Sequence, residues 1–117
     1  MKAANSEDLQ PLSEPTLYIL VSLAPAPLHG YAIAREVRAL SDERVILSVS
    51  TLYTILKRML EAGWIERVGS GPEPDEGGRP RKIYALTERG RRILVAEKAR
   101  LRSLLALVQK RTVGEER

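Results

Sequence analysis

Between Ser48 and Glu66 the chain concentrates side chains that hydrogen-bond or carry positive charge: Ser48, Ser50, Thr51, Tyr53, Thr54, Lys57 and Arg58. A second set follows at Arg79, Arg81 and Lys82. Hydroxyls donate and accept, whereas guanidinium and ammonium groups only donate. Such groups suit phosphate oxygens and the edges of nucleic-acid bases. Other chemistries are poorly supplied. There is one histidine, His29, and no cysteine. Neither a catalytic triad nor a transition-metal site is expected, and no cofactor. The acids fall in surface-type helices or in the turn-rich stretch 69–78, without the pairing that acid–base catalysis requires. An enzyme is therefore not expected.

A helix must present the first set. Leu52, Ile55, Leu56, Met59 and Leu60 fall at i, i+3, i+4, i+7 and i+8, one apolar stripe. Steps of about 100° put Ser50, Thr54, Lys57 and Glu61 opposite that stripe. Thr51 and Arg58 flank one edge and Tyr53 the other, where it either packs or reaches a ligand. Ser50 is the expected N-cap, and Gly63 the left-handed residue that ends the helix. Taken alone, this face reads equally well as the solvated side of an ordinary core helix.

The neighbouring elements follow from punctuation and periodicity. Residues 1–13 are polar and form an arm or a short docking helix. Pro15 suits the first turn of a helix, and Leu17–Leu23 should be short and buried. Pro25 and Pro27 end it. His29-Gly30-Tyr31 opens a second helix to about Leu40, with Tyr31, Ile33, Ala34 and Val37 inside. His29 is expected to cap or support that helix, with phosphate binding at the helix N-terminus as the alternative. Tyr84 and Trp64 read as packing residues, and Ile46–Val49 as a short bridging strand. Trp64–Val68 and Ile83–Leu86 are strands joined by a turn-rich loop, a long hairpin. Thr87 caps a last helix that runs to about Arg111.

Three helices followed by a hairpin is the winged helix-turn-helix plan. Its third helix enters the major groove, and its wing reaches the backbone or minor groove. The expected fold is thus mainly α with a small β-hairpin, plus a C-terminal helix. Its parts are an arm (1–13), the winged domain (14–87), the last helix (88–111) and a tail (112–117). Ile93, Leu94, Leu101, Leu104, Leu105 and Val108 give the last helix an apolar side too long for the core it follows. Pairing with a second copy would cover it.

At 117 residues the chain is one domain of usual size. The net charge is +4. Residues 1–66 hold six Lys/Arg against eight Asp/Glu, and residues 67–117 hold thirteen against seven. A basic excess confined to one half hints at a polyanionic partner. No secretory leader is recognisable, and Leu17–Pro27 is too short to cross a bilayer. A soluble cytoplasmic protein without membrane contact is expected.

Five motifs now add a resemblance: Leu28-His29-Gly30-Tyr31, Ser50-Thr51-Leu52-Tyr53, Leu56-Lys57-Arg58-Met59, Ala62-Gly63-Trp64-Ile65-Glu66, and Gly78-Arg79-Pro80-Arg81-Lys82-Ile83-Tyr84-Ala85-Leu86-Thr87 with Gly90. In this order and spacing the chain resembles PadR-like transcriptional regulators over roughly residues 15–110, and among them the compact branch with a short C-terminal part. The resemblance implies a homodimeric repressor that binds a palindromic double-stranded DNA operator. It implies dimerisation through the C-terminal helix, often with help from the N-terminal one. It also implies a small-molecule effector, such as a phenolic acid or drug. Trp64 would be the candidate for stacking an aromatic ligand, since no aromatic residue follows Tyr84. Two positions depart from the family pattern: Ser50 stands where Gly is usual, and Thr54 where Pro is common. Both lie at the start of the recognition helix and bear on the operator sequence, not on the fold. The wing is also long and acidic through Glu73, Asp75 and Glu76. Its tip should point away from phosphate, leaving contact to Arg79, Arg81 and Lys82. The competing function is a winged-helix protein-interaction module without DNA binding. Such a surface should carry apolar or aromatic anchors, where this face carries Ser, Thr and Lys.

Overall fold

The computed structural model describes residues 12–74 and 80–115, with the backbone alone at 70–74, 80 and 81. Helix α1 spans Glu14–Leu23, α2 Gly30–Leu40, α3 Val49–Ala62 and α4 Glu88–Arg111. Strand β1 is Leu28–His29, β2 Ile65–Pro74 and β3 Pro80–Leu86, in the sheet order β1-β3-β2. The arm expected at 1–13 lies outside the described residues except for Leu12 and Ser13. Asp75, Glu76 and Arg79 of the wing tip lie outside them as well.

Helix α1 starts as expected. Ser13 Oγ accepts from the Thr16 N–H at 3.3 Å, and Pro15 sits in the first turn. Ile19, Leu20 and Leu23 are fully buried. After the prolines the chain is extended, and Leu28 and His29 pair with Tyr84 and Ile83 of β3. This is the bridging strand, and it differs from the expectation at Ile46–Val49. There Ile46 and Leu47 are irregular and lead into α3, which begins at Val49, with its cap two residues before the expected one. Ser48, not Ser50, is the N-cap: its Oγ accepts from the Thr51 N–H at 3.1 Å. Leu47 and Leu52 both pack in the core and flank the cap as a hydrophobic staple. Their packing favours Ser48 over Ser50, a choice hydroxyl chemistry leaves open.

His29 caps α2, its Nδ1 accepting from the Ala32 N–H at 3.2 Å. Ile33 and Val37 are buried, but Tyr31 is 62% exposed, against the expectation that it faces inward. Two residues from Ile33 is about 200° around a helix, so it points away from the core. Its ring stacks on His29, with centroids 6.5 Å apart and planes 4° from parallel, and Arg35 lies 5.3 Å from its centre.

Leu52, Leu56 and Met59 anchor α3 in the core, with Ile55 and Leu60 half-buried beside them. Gly63 closes the helix at φ 80. Trp64, Ile65, Tyr84 and Leu86 of the hairpin complete the core. The ladder pairs Ile65 with Leu86 and Arg67 with Tyr84, then slips between Arg67 and Gly69.

The start of α4 is locked onto the end of α3. Thr87 Oγ1 accepts from the Gly90 N–H and donates to the Gly63 carbonyl at 2.6 Å, while the Thr87 N–H donates to the Trp64 carbonyl at 3.0 Å. Gly90 lies against that carbonyl so closely that a Cβ would come within 2.1 Å of its oxygen. One turn on, Ile93 joins the core. Glu97 is buried on the same side, a carboxylate that periodicity did not reveal. It accepts from Arg100 at 2.6 and 3.1 Å. That bond, with the Leu12 backbone N–H, holds its pKa below the usual carboxylate range against the opposing effect of burial.

Candidate nucleic-acid interface

On α3, Ser48, Ser50, Thr51, Tyr53, Thr54, Lys57 and Arg58 are all exposed. Their availability differs. Ser48 Oγ accepts the Thr51 N–H and donates to Thr51 Oγ1 at 2.9 Å, so both hydroxyls serve the helix start. Ser50 Oγ lies 3.5 Å from Ser48 Oγ at the edge of that group. The side chains of Thr54, Lys57 and Arg58 make no hydrogen bond or ion pair among the described residues. Beyond the cap, the outward face of α3 thus presents the Thr54 hydroxyl, two cations and, in its last turn, Glu61, while the first turn carries no acid. That half of the helix dipole is positive and favours an anion.

Tyr53 is 44% exposed. Its ring packs over the first turn of α2, where a Cβ on Gly30 would meet its hydroxyl at 2.4 Å. The missing side chain of Gly30 lets α2 and α3 approach there. Burial first, and then the nearby Tyr53 hydroxyl, push the Tyr84 phenol above its ordinary pKa, with Arg67 opposing. Tyr53 is therefore shared between packing and surface. Sequence reasoning left this open, because the contact depends on a glycine 23 positions away.

Of the wing cations, Lys82 is exposed on β3 opposite Ser70 of β2. Arg81 lies beside it on β3, and Arg79 falls outside the described residues. Arg67, exposed on β2, is a cation the sequence reading passed over because it sits inside a strand. Trp64 is buried at 8% exposure, and its indole N–H has no hydrogen-bond partner among the described residues.

The last helix divides in two. Ile93, expected on the interface side, is buried in the core of its own chain and has almost no surface left to share. Leu94 is half-buried. Every residue from Leu101 to Arg111 is exposed, Leu104, Leu105 and Val108 among them. Between α1 and α4 runs a groove of about 580 Å³ lined by Leu17, Tyr18, Val21, Leu94, Val95, Lys98, Leu101, Arg102 and Leu105. The α1 side of this groove was not foreseen, since which helix α4 lies against is a tertiary fact. No described helix is long and apolar enough to cross a membrane.

Comparison with protein families matches residues 19–96 to the transcriptional regulator PadR-like family. Comparison with curated proteins finds no match. Among solved structures, the fold is similar to a PadR family transcription regulator from Clostridium difficile, with TM-score 0.67 and 29% identity, covering 87% of this chain and 100% of that one. It is similar to smu.1704 from Streptococcus mutans, with TM-score 0.66 and 25% identity, covering 92% and 96%. Bacillus subtilis PadR in complex with operator DNA shares the fold at TM-score 0.62 and 23% identity, covering 74% of this chain and 46% of that one. The match runs from the second half of α1 into the first turns of α4, across the elements that build the winged helix, and the family is one of transcriptional regulators. The chain belongs to the PadR-like family of transcriptional regulators.

Proposed function

We propose that this protein is a homodimeric, sequence-specific DNA-binding repressor. Its reading surface is α3, with Thr54, Lys57 and Arg58 outward and Ser48, Ser50, Thr51 and Tyr53 at its start. Arg79, Arg81 and Lys82 of the wing grip the backbone. The observation that carries the reading is the exposed face of α3: hydroxyls, and cations without an ion-pair partner among the described residues, with the exposed apolar groups, Val49 and Tyr53, at its start and not at its centre. A protein-docking face would need such anchors. Leu94, Leu101, Leu104, Leu105 and Val108 of α4 form the dimer contact, together with α1 across the groove. A two-fold pair would present two α3 helices to a palindromic operator, with half-sites about one DNA turn apart. A small apolar effector with an anionic group would suit the groove, where Lys98 and Arg102 stand beside leucines. By altering how two copies seat, it would release DNA.

Salt titration tests the DNA reading. Five cations per copy, ten per dimer, set an upper limit of about −9 on the slope of log K against log salt. A steep negative slope is expected, and a flat one would sink the proposal. Substitution sorts the contacts further. Thr54→Ala is expected to weaken operator binding more than binding to unrelated DNA. Arg81→Ala should weaken both by similar factors, as a backbone contact does. If Arg81→Ala instead relaxes sequence preference, the wing reads bases.

A further inference from the structure

The first turn of α3 contains an exposed residue that neither cap nor core explains. Val49 is the first helical residue and is 74% exposed. The hydrophobic staple of this helix is already made by Leu47 and Leu52. Valine is also no asset to the helix, since its branched side chain lowers helix propensity relative to alanine. Its neighbours Ser48 and Thr51 spend their hydroxyls on each other and on the helix start. What the tip offers a partner is therefore the Ser50 hydroxyl, 3.5 Å from Ser48 Oγ, and the two methyl groups of Val49.

A helix of this fold meets base edges with its N-terminal residues. In the major groove the apolar feature that distinguishes one base is the 5-methyl of thymine, and aliphatic side chains read it by contact. We infer that Val49 is a specificity-determining residue that packs against a thymine methyl in each half of the operator. The inference rests on the DNA-binding reading and adds to it one base and one chemical group. A branched side chain suits the task, because its restricted χ1 fixes where the methyls point.

The test uses the full chain and an operator selected from random duplexes by the wild-type protein. Each thymine is replaced in turn by deoxyuridine, which removes the 5-methyl and leaves every hydrogen-bonding group. Dissociation constants are measured for wild type and Val49→Ala, with circular dichroism confirming that the variant is folded. For the wild type, one replacement per half-site should weaken binding about 4-fold, and both together about 16-fold, the equivalent of one buried methyl at each. Val49→Ala should bind the parent operator more weakly and show little further loss at those positions. If the uridine effects are the same in both proteins, or absent in the wild type, Val49 does not read a methyl and the inference is overturned alone. If no duplex is enriched and no DNA is bound, the DNA-binding reading itself fails, and this inference with it.

Discussion

Leu101→Glu combined with Leu105→Glu is expected to yield a monomer that no longer binds operator tightly. Helix α4 has 24 residues, about 36 Å at 1.5 Å per residue. Its first turns are held by Thr87, Gly90 and Ile93, but from Leu101 onward every residue to Arg111 is exposed, with only the rim of the α1 groove beside Leu101 and Leu105. Leu101 is 39% exposed and Leu105 55%. Burying a leucine fully is worth about 1.5–3 kcal/mol. Covering what is still exposed of two leucines from each copy therefore contributes about 3–6 kcal/mol, comparable to the ~4 kcal/mol that separates a micromolar from a nanomolar dimer. Four buried carboxylates in their place would each have to be desolvated without a partner. The substitutions lie beyond the core, so the winged domain should keep its helical circular dichroism. Sedimentation decides the matter: a wild-type monomer at micromolar concentration, or a double variant that still sediments as a dimer, rules this surface out.

The second large effect is expected at Gly90. Alanine there would put its Cβ 2.1 Å from the Trp64 carbonyl oxygen and 3.0 Å from its carbon, which are backbone atoms that no rotamer change can move. Sliding α4 outward would break the two Thr87 bonds to Gly63 and Trp64. Alanine gains up to about 1 kcal/mol of helix propensity over glycine. The clash should exceed that gain, leaving a net loss of about 3 kcal/mol. For a domain of this size this lowers the melting temperature by roughly 10–20 °C. A thermal melt within a few degrees of wild type would mean that the start of α4 yields easily.

These two sites divide what could be read in the chain from what could not. The stripe on α3, the prolines after α1, Gly63 and Thr87 announce themselves through spacing and backbone chemistry, and their elements lie where that chemistry predicts. The stripe on α4 was visible, but not where self-packing ends along it. Ile93 and Leu101 are equally apolar, and only the size of the core separates them. The two-residue β1 has no periodicity to detect and exists only because β3 lies beside it. Ser48 and Ser50 are interchangeable as caps until Leu47 and Leu52 find the core. Gly30 and Gly90 matter through atoms far away in sequence, Tyr53 for one and Trp64 for the other. At the candidate interface the outward face of α3 was legible from the alternation of polar and apolar residues. The cap bonds that occupy Ser48 and Thr51 were not.

The joint between α3 and α4 has a mechanical meaning. Gly63 and Trp64 follow the end of the one helix, and their two carbonyls both accept from Thr87, the cap of the other, so the recognition helix and the long C-terminal arm are joined directly although the hairpin lies between them in the chain. An arm of about 36 Å behaves as a lever: one degree of tilt at the fulcrum moves its far end by roughly 0.6 Å. The reverse holds as well. Whatever seats along the leucines at the tip dictates, through that fulcrum, the attitude at which α3 and the hairpin are held, with a gain set by the length of the arm.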